Sequence, residues 1–350
     1  MATFADIFDR IVHRDRSRED THELSAAAQR HIHRNAAVFV GANGLQNIGD
    51  QAAKASTVLP WLMAAIGAPT WMTGLLVPIR ESGSMLPQAA LQPWVLGHQR
   101  RRGIWIAGAL GQAIGAAVMA MGAALLSGWG AGLVVLGGLT LLALARSLTS
   151  IASKDIQGRT MPKGMRGRIG GLATMLSGIV AITIGVAIRI TVGADTSAGL
   201  LAAIVAGGSG AWLLAAALFT QLREDAHRAA PNPRDPHWFT DSWQLVRTDA
   251  ALRRFVIVRA LLLVSALAPP FIVHLSATHA GAQLSSVATF IIASGASALV
   301  GGRISGLLSD RSARKTMIWG AGLASTIIVV FLSSLGVPAL MATWWWGPLV

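Results

Sequence analysis

Long apolar stretches separated by short polar segments dominate the pattern of this 350-residue chain. A helix needs about 20 mostly apolar residues to cross the hydrocarbon core of a bilayer. The stretches are too long for the strands of a membrane barrel, and they lack the alternating pattern of such strands. The pattern therefore predicts an all-α polytopic membrane protein with about nine full spans. The predicted spans are residues 36–64, 71–96, 103–126, 131–152, 169–190, 198–219, 255–275, 284–308 and 316–335.

The composition agrees with a membrane protein and argues against most soluble functions. Hydrophobic residues make up 53% of the chain and charged residues 13%, whereas soluble domains carry about 25% charged residues. The absence of cysteine excludes disulfides and thiolate metal sites. Phosphate-binding loops, paired metal ligands and nucleophile elbows are not found in the sequence. We therefore expect no enzyme activity, no cofactor, no metal and no nucleic-acid partner.

Among the loops between spans, Lys and Arg occur only in alternate ones, which predicts the topology. Lys and Arg collect in the loops after spans 2, 4 and 8, and cytoplasmic loops carry such an excess in membrane proteins. The N-terminus is then cytoplasmic. We expect a multi-pass protein in the plasma membrane, which in bacteria is the inner membrane. The basic loops are residues 98–102, 154–168 and 311–315; the loops without Lys or Arg are 67–70, 127–130, 191–196, 276–283 and 336–338.

The same map divides the chain into four parts. Residues 1–34 form a cytoplasmic tail in which five apolar residues recur at helical spacing, so either a surface helix or a solvated tail is expected there. Residues 35–220 form a six-helix bundle, 221–254 a polar cytoplasmic loop, and 255–350 a second bundle. Five tryptophans near predicted span ends suggest an aromatic belt, although core packing would also suit them. They are Trp61, Trp71, Trp94, Trp105 and Trp129, and the apolar tail residues are Phe4, Ile7, Phe8, Ile11 and Val12.

Ionisable residues inside the predicted spans are the candidate functional groups. A charge at the centre of a membrane helix costs about 2.5–3.5 kcal/mol, so its presence is a functional hypothesis by default. Asp50 and Lys54 are four residues apart on span 1, and Arg80 and Glu81 reach a similar depth on span 2. We expect a polar cluster near or above the membrane midplane. Asn43, Gln46 and Asn47 would lie below it, and Arg146 on span 4 would lie toward the cytoplasmic half.

Two interpretations of this cluster remain open. In the first, Asp50 or Glu81 is a protonatable group that couples a proton to the movement of a solute, and the asparagines and glutamine line the cavity. In the second, the four charges neutralise one another and fix helix packing, and Arg146 pairs with a carboxylate.

The loop after span 8 carries a motif that points to a family. Gly306, Asp310, Arg311, Arg314 and Lys315 follow the spacing G-x-x-x-D-R-x-x-R-K, and a basic cluster followed by Ile-Trp recurs about 214 residues apart. With two bundles joined by a long loop, the chain resembles the major facilitator superfamily (MFS). In the corresponding first loop only the basic end matches, and Ala313 replaces the motif's second glycine. The family also often has an arginine at the place of Arg146.

The resemblance implies a function, and the C-terminus departs from the family pattern. The family consists of secondary transporters that move a small solute by alternating access, so we expect such a solute, protons and the lipid bilayer as partners. Family members have twelve spans, whereas residues 342–350 here would begin only a tenth. The second bundle is therefore expected to be incomplete. The alternative is a truncated, non-transporting membrane protein that is inactive or needs a partner to complete the bundle.

Overall fold

A computed structural model of the chain describes residues 30–161, 197–224, 238–265, 291–297 and 317–330, with 178–180, 182, 183, 186, 315 and 333. Within these segments the ordered elements are helices, and no strand occurs. The prediction of an all-α membrane protein is confirmed at this level, because three of the described helices are long and apolar enough to cross a membrane. These three are α4, α5 and α6 below. The helices are α1 Ile32–Ala52, α2 Val58–Ala65, α3 Thr70–Leu96, α4 Arg102–Leu125, α5 Gly128–Thr160, α6 Ala198–Phe219, α7 Trp238–Thr248 and α8 Ala250–Ser265.

The first predicted span is not one helix, which corrects the sequence-based prediction. Helix α1 ends at Ala52 and α2 begins at Val58, so residues 53–57 interrupt the span. Pro60 disfavours a continuous helix here, because a proline ring clashes with the carbonyl four residues earlier and lacks the N–H that would bond to it. Here that carbonyl belongs to Ser56. Pro60 instead lies in the first turn of α2, where a helix tolerates proline. Proline alone does not decide the outcome, since α3 continues through Pro78, Pro87 and Pro93.

Five long helices pack side by side around a common core. Helix α5 packs against α3 and α4, α4 packs against α6, and α6 packs against α1 and α2. Small residues permit the close approaches. A Cβ atom added to Gly115 on α4 would lie 2.6 Å from the carbonyl oxygen of Gly138 on α5. On α6, Trp212 occupies the space beside Gly49 of α1 in the same way.

Two tight turns mark one end of the bundle. Gly67 and Gly128 both adopt positive φ, at 70° and 61°, and Gly128 donates a backbone hydrogen bond to the carbonyl of Ile66. We call this the Gly67 end. The opposite end contains the turn between α3 and α4, the C-terminal end of α5, and residues 220–224 after α6. We call it the Arg101 end.

In the part of the chain that the structure describes, the core consists of two apolar clusters with polar side chains between them. The cluster toward the Gly67 end includes Trp61, Met119 and Trp212, and the cluster toward the Arg101 end includes Trp105 and Phe219. Trp105 stacks on Phe219 with ring centroids 3.8 Å apart. Along α1, α3, α4 and α5, polar or charged residues separate the positions that join one cluster from those that join the other. The bundle therefore contains a layer of polar side chains at mid-height, between the two apolar clusters. We call it the polar layer, and its members are Gln46, Asp50, Arg80, Gln112, Arg146 and Thr149.

The five tryptophans divide between core and surface. Trp61 and Trp105 are fully buried, so their expected place in an aromatic belt was wrong. Trp71 and Trp129 are more than half exposed and contact each other at the Gly67 end, with centroids 5.6 Å apart. Trp94 is also exposed. An interface role therefore remains a prediction for these three only.

Several sequence-based predictions fall outside the described residues or remain untested. The proposed tail helix within residues 4–12 and most of residues 169–190 lie outside them, as do large parts of spans 7 and 8. A shorter apolar helix, Met317–Val330, occupies most of the predicted ninth span. Helix α7 lies inside the segment 221–254 that was predicted as a central loop. The division into domains stays a prediction.

Candidate functional site

Asp50 is the centre of the charged part of the polar layer. Its Oδ1 accepts a hydrogen bond from Nη2 of Arg80 at 2.6 Å, and its Oδ2 accepts one from Nη1 of Arg146 at 2.5 Å. The three side chains come from α1, α3 and α5, and they are only 16–29% exposed. Charge-assisted bonds of this kind are about twice as strong as neutral ones. One carboxylate thus connects three helices, and the prediction that Arg146 pairs with a carboxylate agrees with this contact.

Arg80 and Arg146 approach Asp50 from different heights. Gly83 of α3 lies against Ala143 of α5, so facing residues on these helices differ by about 60 in number. Arg80 therefore lies about six residues, or roughly 9 Å, nearer the Gly67 end than Arg146 does. The prediction that Arg146 lies toward the cytoplasmic half stays a prediction. Helix α5 continues to Thr160, so Arg146 lies close to the middle of that helix.

A cavity of about 390 Å³ lies beside the Asp50–Arg80 pair. The interruption between α1 and α2 forms one wall, and α3 forms the other. The prediction that Lys54 shares a helix face with Asp50 was wrong, because α1 ends at Ala52, before Lys54. The break after α1 nevertheless places Lys54 at the same cavity as Asp50. The lining residues are Asp50, Gln51, Lys54, Ala55, Ser56, Val77, Arg80 and Glu81.

The two remaining charges at the cavity, Lys54 and Glu81, are not paired with each other. Within the part of the chain that the structure describes, neither side chain forms an ion pair shorter than 4.0 Å. Both side chains are partly exposed to the cavity. Asp50 is thus paired with two arginines, whereas Lys54 and Glu81 form no ion pair within 4.0 Å among the described residues; Glu81 still attracts Arg80 electrostatically. The predicted mutual neutralisation of the four charges stays a prediction.

The uncharged part of the polar layer lies next to Arg146. Oγ1 of Thr149 accepts long hydrogen bonds from Gln46 of α1 and Gln112 of α4, at 3.3 and 3.4 Å, and donates to the carbonyl of Arg146. Gln46 thus bonds between helices. Asn43 donates to the carbonyl of Phe39 in its own helix, and neither it nor Asn47 is among the described residues that line the cavity. The interpretation of these three residues as a cavity wall is not supported by their positions.

A second charged network, at the Arg101 end, was not found from the sequence. The Glu224 carboxylate accepts the backbone N–H groups of Arg101 and Arg102, at 3.0 and 2.8 Å, and so caps the beginning of α4. Arg102 donates in return to the carbonyls of Thr220 and Leu222. Helices α4 and α6 are thereby joined at their ends.

Asp155 extends this network to α5. The Nε atoms of Arg101 and Arg159 both lie 2.9 Å from Oδ2 of Asp155. The Arg101 side chain is completely buried. Burial lowers the pKa of this guanidinium from its ordinary value, and the Asp155 carboxylate acts in the opposite direction. Asn35 completes the network, because its side chain exchanges two hydrogen bonds of 2.9 Å with the backbone of Arg223.

Sequence signals existed for some of these features. Gln112 stands alone in an apolar helix, and Pro60 marks the break of the first span. Asp155 and Glu224 carried no signal, since each lies in a polar segment where a solvated carboxylate is ordinary. In the predicted loop motif, Gly306, Asp310, Arg311 and Arg314 lie outside the described residues. Lys315 alone is described.

No protein-family model matches the chain, and no curated protein matches it. The resemblance to the major facilitator superfamily therefore continues to rest on residues of this sequence alone.

Proposed function

We propose that this protein is a secondary active transporter that moves a small solute across a membrane by alternating access. The observation that carries the proposal is the cavity at the interrupted first span, lined by Lys54, Arg80 and Glu81. A volume of about 390 Å³ lies within the range of small-molecule sites, which is roughly 300–1,000 Å³. The proposed solute site is this cavity.

Two physical arguments support a solute site here. Each charge inside a membrane helix costs about 2.5–3.5 kcal/mol on insertion scales, and such residues are typically kept for substrate or ion pathways. Transporters also commonly form their substrate sites from discontinuous helices, because the interrupted backbone can then contact a solute. The break at residues 53–57 combines both features at one place.

Glu81 is the better candidate for proton coupling, and Asp50 the better candidate for a structural role. Protonating Asp50 would weaken its contacts with both Arg80 and Arg146. Protonating Glu81 breaks no ion pair within 4.0 Å among the described residues. A coupling group must change its charge during the cycle without dismantling the bundle. We therefore assign the coupling proton to Glu81.

The proposal includes the finer architecture predicted from the sequence. It comprises an MFS-like fold, about nine full spans, and a bacterial inner membrane with the Arg101 end in the cytoplasm. The described charges support this orientation, since Arg100, Lys154 and Arg159 lie at the Arg101 end and the turns of the Gly67 end hold no Lys or Arg.

Cysteine accessibility tests alternating access without knowledge of the solute. The chain has no native cysteine, so Ser56→Cys at the cavity wall provides a single thiol. We expect a small membrane-impermeant thiol reagent to label it from either face of oriented vesicles, because the cavity would open to each side in turn. Ser209→Cys is the control. Ser209 is 8% exposed and donates to the carbonyl of Ala113 in the core, so this variant should not be labelled.

Labelling of Ser56→Cys from one face only would contradict alternating access. It would favour the rival function, a membrane protein that does not transport. Equal labelling of both cysteines would instead show that the bundle opens non-specifically, and the assignment of the cavity would then be wrong.

A further inference from the structure

We propose that the cavity beside Asp50 binds a small monocarboxylate anion, held by Lys54 and Arg80. This inference rests on the proposed function, because it names the solute class of the same site. It is drawn from the cations available at the cavity, the balance of charge around it, and its apolar wall.

Lys54 supplies the first cation. It lies in the break between α1 and α2, lines the cavity, and has no ion-pair partner within 4.0 Å among the described residues. Burying an ammonium without a partner is costly. An anion in the cavity would provide the missing partner.

Arg80 supplies the second cation. Its Nη2 is bonded to Asp50, whereas its Nη1 is buried and has no hydrogen-bond partner among the described residues. Arg80 also lines the cavity. Because Nη1 has almost no accessible surface, Arg80 attracts an anion through its positive charge rather than through a free N–H group. Lys54 supplies the hydrogen-bond donor.

The balance of charge favours a single negative charge on the ligand. Lys54, Arg80 and Arg146 are three cations, and Asp50 and Glu81 are two anions, so the group of five carries one excess positive charge. A monoanion neutralises it. A cation would raise the excess charge to two in a region that water solvates poorly.

The rest of the lining favours an organic anion over an inorganic one. Ala55 and Val77 are buried and form part of the cavity wall. Apolar side chains of this kind gain little from a fully hydrated ion, and they can contact the hydrocarbon part of a carboxylic acid. The available volume allows a carboxylate with an attached apolar group.

Ligand-dependent stability of the purified full chain tests the inference. The probe is benzoate, with benzamide as its uncharged counterpart of the same shape, and the readout is the unfolding midpoint in detergent as a function of ligand concentration. We expect benzoate to raise the midpoint in a saturable manner and benzamide to leave it unchanged.

Three variants assign the effect to the cavity. Lys54→Gln should raise the Kd for benzoate about tenfold or more, because it removes a charged hydrogen-bond donor, while Lys54→Arg should retain binding. Glu81→Gln should lower the Kd about threefold or more, because it removes a repelling charge. Lys154→Gln is the matched control. It removes the same charge from an exposed position on α5 outside the cavity, and its Kd should equal that of the original protein.

Lys54→Gln and Glu81→Gln should change the Kd for benzoate in opposite directions. An unchanged or lower Kd for benzoate in Lys54→Gln would overturn the assignment of the anion to Lys54. Stabilisation by inorganic phosphate but not by benzoate would overturn the carboxylate assignment. The absence of benzoate stabilisation in a monodisperse preparation would also refute it. Saturable benzoate binding without labelling of Ser56→Cys from both faces would uphold this inference and refute transport, so the two proposals fail separately.

Discussion

Replacing Asp50 with Asn should destabilise the bundle far more than removing the neighbouring carboxylate of Glu81. Asp50 bonds to Arg80 and Arg146 at 2.6 and 2.5 Å, and Asp50→Asn leaves both guanidiniums without their counter-charge. Removing one partner of a buried ion pair costs about 3–5 kcal/mol. These side chains keep 16–29% exposure, and the amide can still accept one bond. We therefore expect a loss of about 2–3 kcal/mol in the free energy of unfolding.

Glu81→Gln is the matched control for this measurement. It removes the same charge from the same cavity, but Glu81 has no ion pair within 4.0 Å among the described residues. Its cost should stay within about 0.5 kcal/mol. Unfolding can be followed in mixed micelles with increasing SDS, by circular dichroism and by the fluorescence of buried tryptophans such as Trp61, Trp105 and Trp212.

A double variant identifies the source of the effect. If the loss comes from the uncompensated arginines, Asp50→Asn combined with Arg146→Gln should cost less than the sum of the two single changes, by about 0.5–3 kcal/mol. Equal costs for Asp50→Asn and Glu81→Gln would refute the structural role of the Asp50 bridge. Strict additivity in the double variant would show that Arg146 is not coupled to Asp50.

Three further predictions follow from other parts of the bundle. Single cysteines at Ser127 and Gln99, both exposed and at opposite ends, should be labelled from opposite faces of the membrane; labelling from one face would overturn the orientation. Glu224→Gln should lower the free energy of unfolding by about 0.5–2 kcal/mol, because one of the two bonds that cap α4 is lost. An unchanged free energy of unfolding in SDS titration would show that the cap contributes nothing. Gly115→Ala should lower the free energy of unfolding by about 1–3 kcal/mol, since its Cβ would lie 2.6 Å from a backbone oxygen. Gly137→Ala is the control, because its Cβ meets nothing within 4 Å, and it should be neutral or slightly stabilising. Equal effects of the two changes in the same titration would disprove the close helix contact.

The sequence by itself determined the class of the molecule. Apolar stretches of about 20 residues leave no alternative to membrane helices, because a backbone in lipid must satisfy its own hydrogen bonds. The charged residues within those stretches were equally visible, because ionisable groups are rare there. Asp50, Arg80 and Glu81 could therefore be grouped from their depths alone. The predicted partner of Arg146 followed from the cost of leaving a buried cation unpaired.

Only the tertiary structure decided which of these charges pair and which remain available. Depth along a helix does not determine which face of the bundle a side chain reaches. It could not show that Asp50 bonds to two arginines while Lys54 and Glu81 line a cavity. The network of Glu224 and Asp155 depends on contacts between helix ends: Arg101 lies 54 residues before Asp155 and 123 residues before Glu224 in the chain. Such pairings arise from how the helices pack against one another, and the local pattern of apolar and polar residues does not encode them.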